Sequence, residues 1–98
     1  MLIGKVVGHV WATKKEDSMC GLKLMVVQEI DADGKNRGNV FVAADVVGAG
    51  IGERVITVSG STARKILGRG DVAADAAIVA IIDSLEISKQ ALEEIPED

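Results

Sequence analysis

One cysteine, Cys20, leaves nothing within the chain for it to pair with, so no disulfide framework holds this fold, which suits a reducing compartment such as the cytoplasm. Histidine is equally scarce: His9 stands alone, and a Cys/His metal centre lacks ligands within one chain. Aromatic residues make up 2% of the sequence, namely Trp11 and Phe41. That is too few for the stacking platforms on which single-stranded nucleic acids lie. Positive charge is also in deficit. The net charge of -4 disfavours a partner held by phosphate neutralisation. No stretch approaches the roughly 18 apolar residues needed to span a bilayer. The opening "MLIGKVVGHV" is interrupted by Lys5 and His9 and lacks a small-residue cleavage site, so it does not read as a secretory leader.

Aliphatic side chains are what the sequence has in abundance. Hydrophobic types account for 48% of its 98 residues, almost all of them Val, Ile, Leu and Ala. The length suits one small domain, which leaves a large share of its surface exposed when folded. So much apolar content with so little aromatic bulk means one of two things. Either the core is very efficient, or apolar surface is buried against other subunits.

The Val and Ile content argues for strands. Leu2–Ala12 alternates, with Leu2, Gly4, Val6, Gly8 and Val10 on the inner face and Ile3, Lys5, Val7, His9 and Trp11 on the other. Two glycines on an inner face predict bending or close backbone approach, as in a small curved barrel. Thr13–Gly21 is polar and reads as a loop. Leu22–Ile30 forms a second strand, with Leu22, Leu24, Val26 and Ile30 on one face and Lys23, Met25, Val27 and Glu29 on the other. The turn "DADGKNRG" (Asp31–Gly38) joins it to a third strand, Asn39–Ala44, as a hairpin. Arg54–Val58 is a fourth strand. "AAIVAIID" (Ala76–Asp83) is apolar on both faces and is expected to be covered on both sides, with a possible continuation to Ile87. Between the last two strands, "STARKILG" reads as a short helix capped by Ser61 or Thr62 and ended by Gly68. The acidic tail could hold one amphipathic turn around Leu92 and Ile95, stopped by Pro96. Five curved strands and one short helix predict a mainly β fold, a small OB-like five-stranded barrel. Periodicity alone leaves a sandwich or an SH3-like barrel open.

Few motifs withstand scrutiny. "DADGKN" opens like a calcium loop, with Asp31 and Asp33 in place, but Lys35 and Val42 stand where oxygen ligands are required. The turn reading is preferred, since Asp-Gly and Asn tolerate positive φ. "GAGIG" (Gly48, Gly50, Gly52) misses the dinucleotide spacing by one residue and leads into a strand, so the helix that would hold a pyrophosphate is missing. No G-K-[ST] follows for a P-loop. Ser59, Ser61 and Thr62 have no local histidine and no nucleophile-elbow context. Cys20 has no visible activator. His9 reads as a surface or interface residue. No catalytic, cofactor-binding or metal-ligating set emerges. "GSTAR" (Gly60–Arg64) is the best survivor: hydroxyl residues at a helix start leave amide N–H groups free to face an anion or water. Within one chain a plain N-cap is the simpler account, but copies converging on an axis would alter that.

Three stretches together resemble the bacterial microcompartment vertex family, which includes the ethanolamine-compartment and carboxysome vertex proteins. They are "GKVVGHVWATKK" (Gly4–Lys15) with "GLKLMVVQ" (Gly21–Gln28), "DVVGAGIGERVITVSGSTAR" (Asp45–Arg64), and "DAAIVAIIDSLEI" (Asp75–Ile87). The resemblance spans nearly the whole chain and implies a single vertex domain over 1–98, with a barrel over 1–88 and an acidic tail over 89–98. It implies homopentamers that cap the vertices of a polyhedral shell, built mainly of hexamers and trimers of another fold, in the bacterial cytoplasm. It implies neither catalysis nor a cofactor, and no nucleic-acid or membrane partner. By the same resemblance Gly60, Ser61, Thr62, Ala63 and Arg64 line a narrow central pore, and Gly48, Gly50 and Gly52 form a packing turn. Two departures stand out. Thr62 replaces a second serine, which keeps the hydroxyl and adds a methyl. "GDVAADAAIV" lacks a proline that is common before the last strand, so the loop over 68–74 is expected to be looser. The alternatives from other classes are an OB-type nucleic-acid-binding module and an accessory subunit of an enzyme complex. The former is disfavoured by the missing basic, aromatic-rich face.

Overall fold

The computed structural model describes residues 1–12, 15, 17–19, 21–68, 74–83 and 90–91. Strand β1 spans Leu2–His9, and a single 3-10 turn covers Asp17–Met19. Strands β2 (Lys23–Ile30), β3 (Asn36–Asp45) and β4 (Arg54–Ser59) follow, then helix α1 (Gly60–Ile66) and strand β5 (Ala76–Ile81). The five strands close into a barrel in the order β1-β2-β3-β5-β4. Every pairing is antiparallel except β3 with β5, which is parallel. A parallel pair needs a long crossover, and β4 with α1 supplies it. The predicted OB-like five-stranded barrel with one short helix is therefore the observed fold.

The barrel is filled by small and branched side chains. Val6, Met25, Val27, Ala43, Ala49, Val55, Ala76 and Ile78 form one buried cluster, with Phe41 and Ile81 packed against it. A smaller cluster of Val58, Ala63 and Ala77 seats the helix on β4 and β5. Closure at such a small radius depends on close backbone approach. A Cβ on Gly4 would run into the Val27 side chain and come within 3.1 Å of the Gln28 carbonyl oxygen.

Gly8 behaves differently from the expected inner-face residue. The β1–β2 register shifts between Val6 and Gly8, so Val7 is an extra residue on β1. Such a bulge turns the following residues to the opposite face. Gly8 then lies opposite Val26, and a Cβ there would meet only ordinary contacts at 3.7 Å. Strand β1 ends at His9 rather than Ala12, and Leu2, expected inside, is exposed at the barrel mouth. On β2 it is Met25 and Val27 that fill the core, while Val26 points outward opposite Val42. Both faces of β2 are apolar, so alternation could not choose between them.

Gly4→Ala is accordingly expected to cost about 1–3 kcal/mol by overpacking, whereas Gly8→Ala should change stability by no more than about 0.5 kcal/mol. Urea unfolding of the two variants checks this, and equal losses would contradict the bulge.

The hairpin forms as expected, with a shorter turn. Asp31 Oδ1 accepts hydrogen bonds from the amides of Asp33 (2.9 Å) and Lys35 (3.0 Å), and Gly34 takes φ +83°. The continuation of the last strand to Ile87 and the acidic turn around Leu92 and Ile95 lie outside the described residues, as does most of the loop over 68–74.

Candidate functional site

Two features stand out on the barrel surface: the start of α1 and the loop that precedes β4. Ser59, in extended conformation (φ -137°, ψ 172°), is the N-cap of α1, and its side chain makes no capping hydrogen bond. The expected cap at Ser61 or Thr62 is thus two or three residues late. Gly60 takes φ +66°, and its amide donates to the Asp75 carbonyl at 2.7 Å, which ties the helix start to the residue before β5. Ser61 and Thr62 are left exposed, with hydroxyls that no cap engages. Ala63 is fully buried against Val58 and Ala77, so its methyl anchors the helix. Arg64 is half-buried. At the far end Gly68, at φ +76°, donates to the Lys65 carbonyl and ends the helix as expected.

The loop over 46–53 is fastened at several points. Asp45 Oδ1 accepts from the amides of Val47 (3.0 Å) and Gly48 (3.1 Å). The Gly50 amide donates to Glu53 Oε1 at 2.6 Å. Gly52 N–H donates to the Val6 carbonyl, and Val6 N–H returns a bond to the Glu53 carbonyl. Ala49 is fully buried in the main core. Gly48 (φ +81°) and Gly52 (φ +93°) hold left-handed conformations that favour glycine. Among the described residues a Cβ on either would meet nothing within 4 Å. The requirement there is conformational rather than one of crowding. Despite this firm anchoring the loop turns Val46, Val47 and Ile51 outward.

Sequence reasoning passed over Asp45, whose spacing ahead of Gly48 is an Asx-type turn signal, and it passed over the outward aliphatics of the loop. The remaining candidates do not assemble into chemistry. His9 sits with its ring 5.8 Å from that of Trp11, which is 88% exposed. Cys20 lies outside the described residues. Among the described residues no group of three or more His, Cys, Asp or Glu could hold a metal ion, and no helix is long and apolar enough to cross a membrane. The surface is instead notable for aliphatics: Leu2, Val7, Val40, Val42, Val46, Val47, Ile51 and Ile66 are all exposed.

The family model described as "Ethanolamine utilisation protein EutN/carboxysome" matches residues 1–83. The chain belongs to the EutN/CcmL family. Similar members include the carboxysome shell vertex protein CcmL of a Synechocystis species, 42% identical over 92 residues, which cover 94% of this chain and 92% of that protein. The solved structure of the GrpN pentameric microcompartment shell protein from Rhodospirillum rubrum is 41% identical, with a TM-score of 0.81 over 90% of this chain and all of that one (100%). CcmL from a Nostoc species superposes with a TM-score of 0.83 at 44% identity, covering 89% of this chain and 92% of that one. Membership in the EutN/CcmL family therefore extends over the barrel, α1 and β5, and reaches both surface features described above.

Proposed function

We infer that this chain is a structural shell protein that forms homopentamers and caps the vertices of a bacterial microcompartment. The observation that carries the reading is the number of exposed aliphatic side chains on a firmly built barrel with a net charge of -4. A soluble monomer rarely leaves so much apolar surface uncovered, and a ring covers two side surfaces on every subunit. Strong likeness across the whole barrel to a pentameric shell protein supports the same state here. The role is geometric. A flat layer of sixfold units cannot close, and twelve fivefold units supply the curvature that closes it. Hexameric and trimeric shell proteins are the neighbours this role requires, and the bacterial cytoplasm is its setting. No catalytic step is assigned to the chain.

Native mass spectrometry tests the reading directly. The expected species has five times the mass of the 10.2 kDa chain. A stable monomer at micromolar concentration would overturn it.

Gly60–Arg64 are proposed to surround the fivefold axis, with five copies of Ser61 and Thr62 lining a narrow opening. Exposed hydroxyls there suit small polar or anionic solutes. Replacing both with leucine (Ser61→Leu, Thr62→Leu) is expected to slow small-anion entry into assembled shells at least several-fold, as read by an enclosed reporter. Unchanged entry would remove any transport role for this opening.

A further inference from the structure

We propose that the ring is held by a knob-in-groove contact, in which Ile51, with Val46 and Val47 of the same loop, seats in an apolar groove of the next copy of the chain. This rests on the ring reading above and deepens it by naming the two halves of the contact. The groove is a cavity of about 260 Å³ at one mouth of the barrel. Leu2, Phe41, Val42, Val58 and Ala76 line it, and among the described residues that line it Asp75 has the only charged side chain. A cavity of about 150 Å³ with such walls takes a benzene ring, so this one has room for a branched aliphatic side chain and part of a neighbour.

The knob is the loop over 46–52. Val46, Val47 and Ile51 are exposed, Ile51 at 59%. Mobile loops usually carry polar residues, but this one is fastened by Asp45, by Glu53 and by two backbone bonds to Val6. A pre-organised aliphatic projection loses little conformational entropy on docking, which favours association.

A chain cannot fill its own groove with its own loop. Gly52 and Glu53 are pinned beside Val6, whereas the groove lies around Leu2 and its partner Thr57. Four residue steps of extended strand lead from Leu2 to Val6, about 13 Å at the usual rise. Two distinct complementary patches on one subunit are what a head-to-tail ring requires, and a twofold dimer would pair a patch with itself. Charge is complementary as well. Arg54 adjoins the knob, Asp75 adjoins the groove, and among the described residues neither belongs to an ion pair. Docking a neighbour's loop brings the two together at the rim.

The test uses the full chain with Cys20→Ser, so that no native thiol interferes. Ile51→Asp is expected to abolish the pentamer in native mass spectra while the far-UV circular dichroism of the barrel is retained, since Ile51 is exposed in the single chain. Ile51→Cys combined with Val42→Cys should oxidise to a covalent ladder of up to five chains. Either cysteine alone should leave single chains, because a heterologous contact never brings two identical positions together. Arg54→Asp and Asp75→Arg should each weaken the ring, and the double variant should restore it. A pentamer undiminished by Ile51→Asp overturns the contact and leaves the ring reading standing. Loss of the pentamer without a ladder overturns the groove as the seat. A monomeric unsubstituted chain overturns the ring and the contact together.

Discussion

Replacing Ile78 with alanine is expected to cost about 2–5 kcal/mol, the range for deleting three carbons from a sealed core. The upper half of that range is favoured by where Ile78 sits. It is fully buried, and it pairs with Asp45 of β3 on one side and Thr57 of β4 on the other. The β3–β5 seam that closes the barrel has only two paired positions, Ala44 with Ala77 and Asp45 with Ile78. Antiparallel β2 and β3 share seven, so a cavity at Ile78 opens where the sheet is least able to resist. Ile78→Val keeps the branch at Cβ and should cost only about 0.5–1.5 kcal/mol. A domain of this size loses about 4–8 °C of Tm per kcal/mol, so the alanine variant should melt roughly 8–40 °C below the parent. The comparison must be made at one protomer concentration, because association adds to apparent stability. Far-UV circular dichroism is the suitable probe, since Trp11 is already exposed in the folded chain. A loss below about 1 kcal/mol would mean that the seam does not govern closure.

The strands were largely legible because each carries its own local signal. Alternation located β1 as far as Val6, the Asp-Gly turn located the hairpin, and an apolar run on both faces located β5. What could not be read arises where two local readings are nearly degenerate. Val7 and Gly8 differ in facing only through a one-residue bulge, and the bulge depends on pairing with β2. Met25 and Val26 are both apolar, so only the closed barrel decides which one points inward. Ser59, Ser61 and Thr62 all make reasonable N-caps, and the choice fell to Ser59 once Gly60 was tied to Asp75.

The surface features separate in the same way. The glycines of the loop and the hydroxyls of α1 lie within single stretches of sequence, and both stretches were singled out. The groove draws side chains from β1, β3, β4 and β5, together with Asp75. No periodicity within one strand could announce it. Composition pointed to such a surface only indirectly, as a hydrophobic content of 48% that left open either an efficient core or apolar surface covered by other subunits.

Asp45→Ala is expected to be the most damaging change in the loop, because one carboxylate organises both ends of the chain's path there. Its Oδ1 holds the amides of Val47 and Gly48. Its Oδ2 is buried without a hydrogen-bond partner, 3.6 Å from Lys23 Nζ, and that ammonium donates at 3.3 Å to the Ala49 carbonyl. The ion pair is the smaller contribution, since the Lys23 side chain is 49% exposed and pairs of that kind contribute about 0–1 kcal/mol. Hydrogen bonds from amides to a charged acceptor contribute more, and losing both should cost about 1.5–3 kcal/mol. Asp45→Asn keeps an acceptor for the two amides but faces an amide NH₂ toward the Lys23 ammonium, so an intermediate loss is expected. The larger consequence is for assembly. Without Asp45 the loop no longer presents Val46, Val47 and Ile51 in one arrangement, and docking must then supply the ordering that folding had supplied. Pentamers of the alanine variant should dissociate at protein concentrations at least tenfold higher than those of the parent, with faster amide exchange at Val47 and Gly48. Unchanged protection of those two amides would show that the glycine turns alone hold the loop, and that Asp45 is dispensable to it.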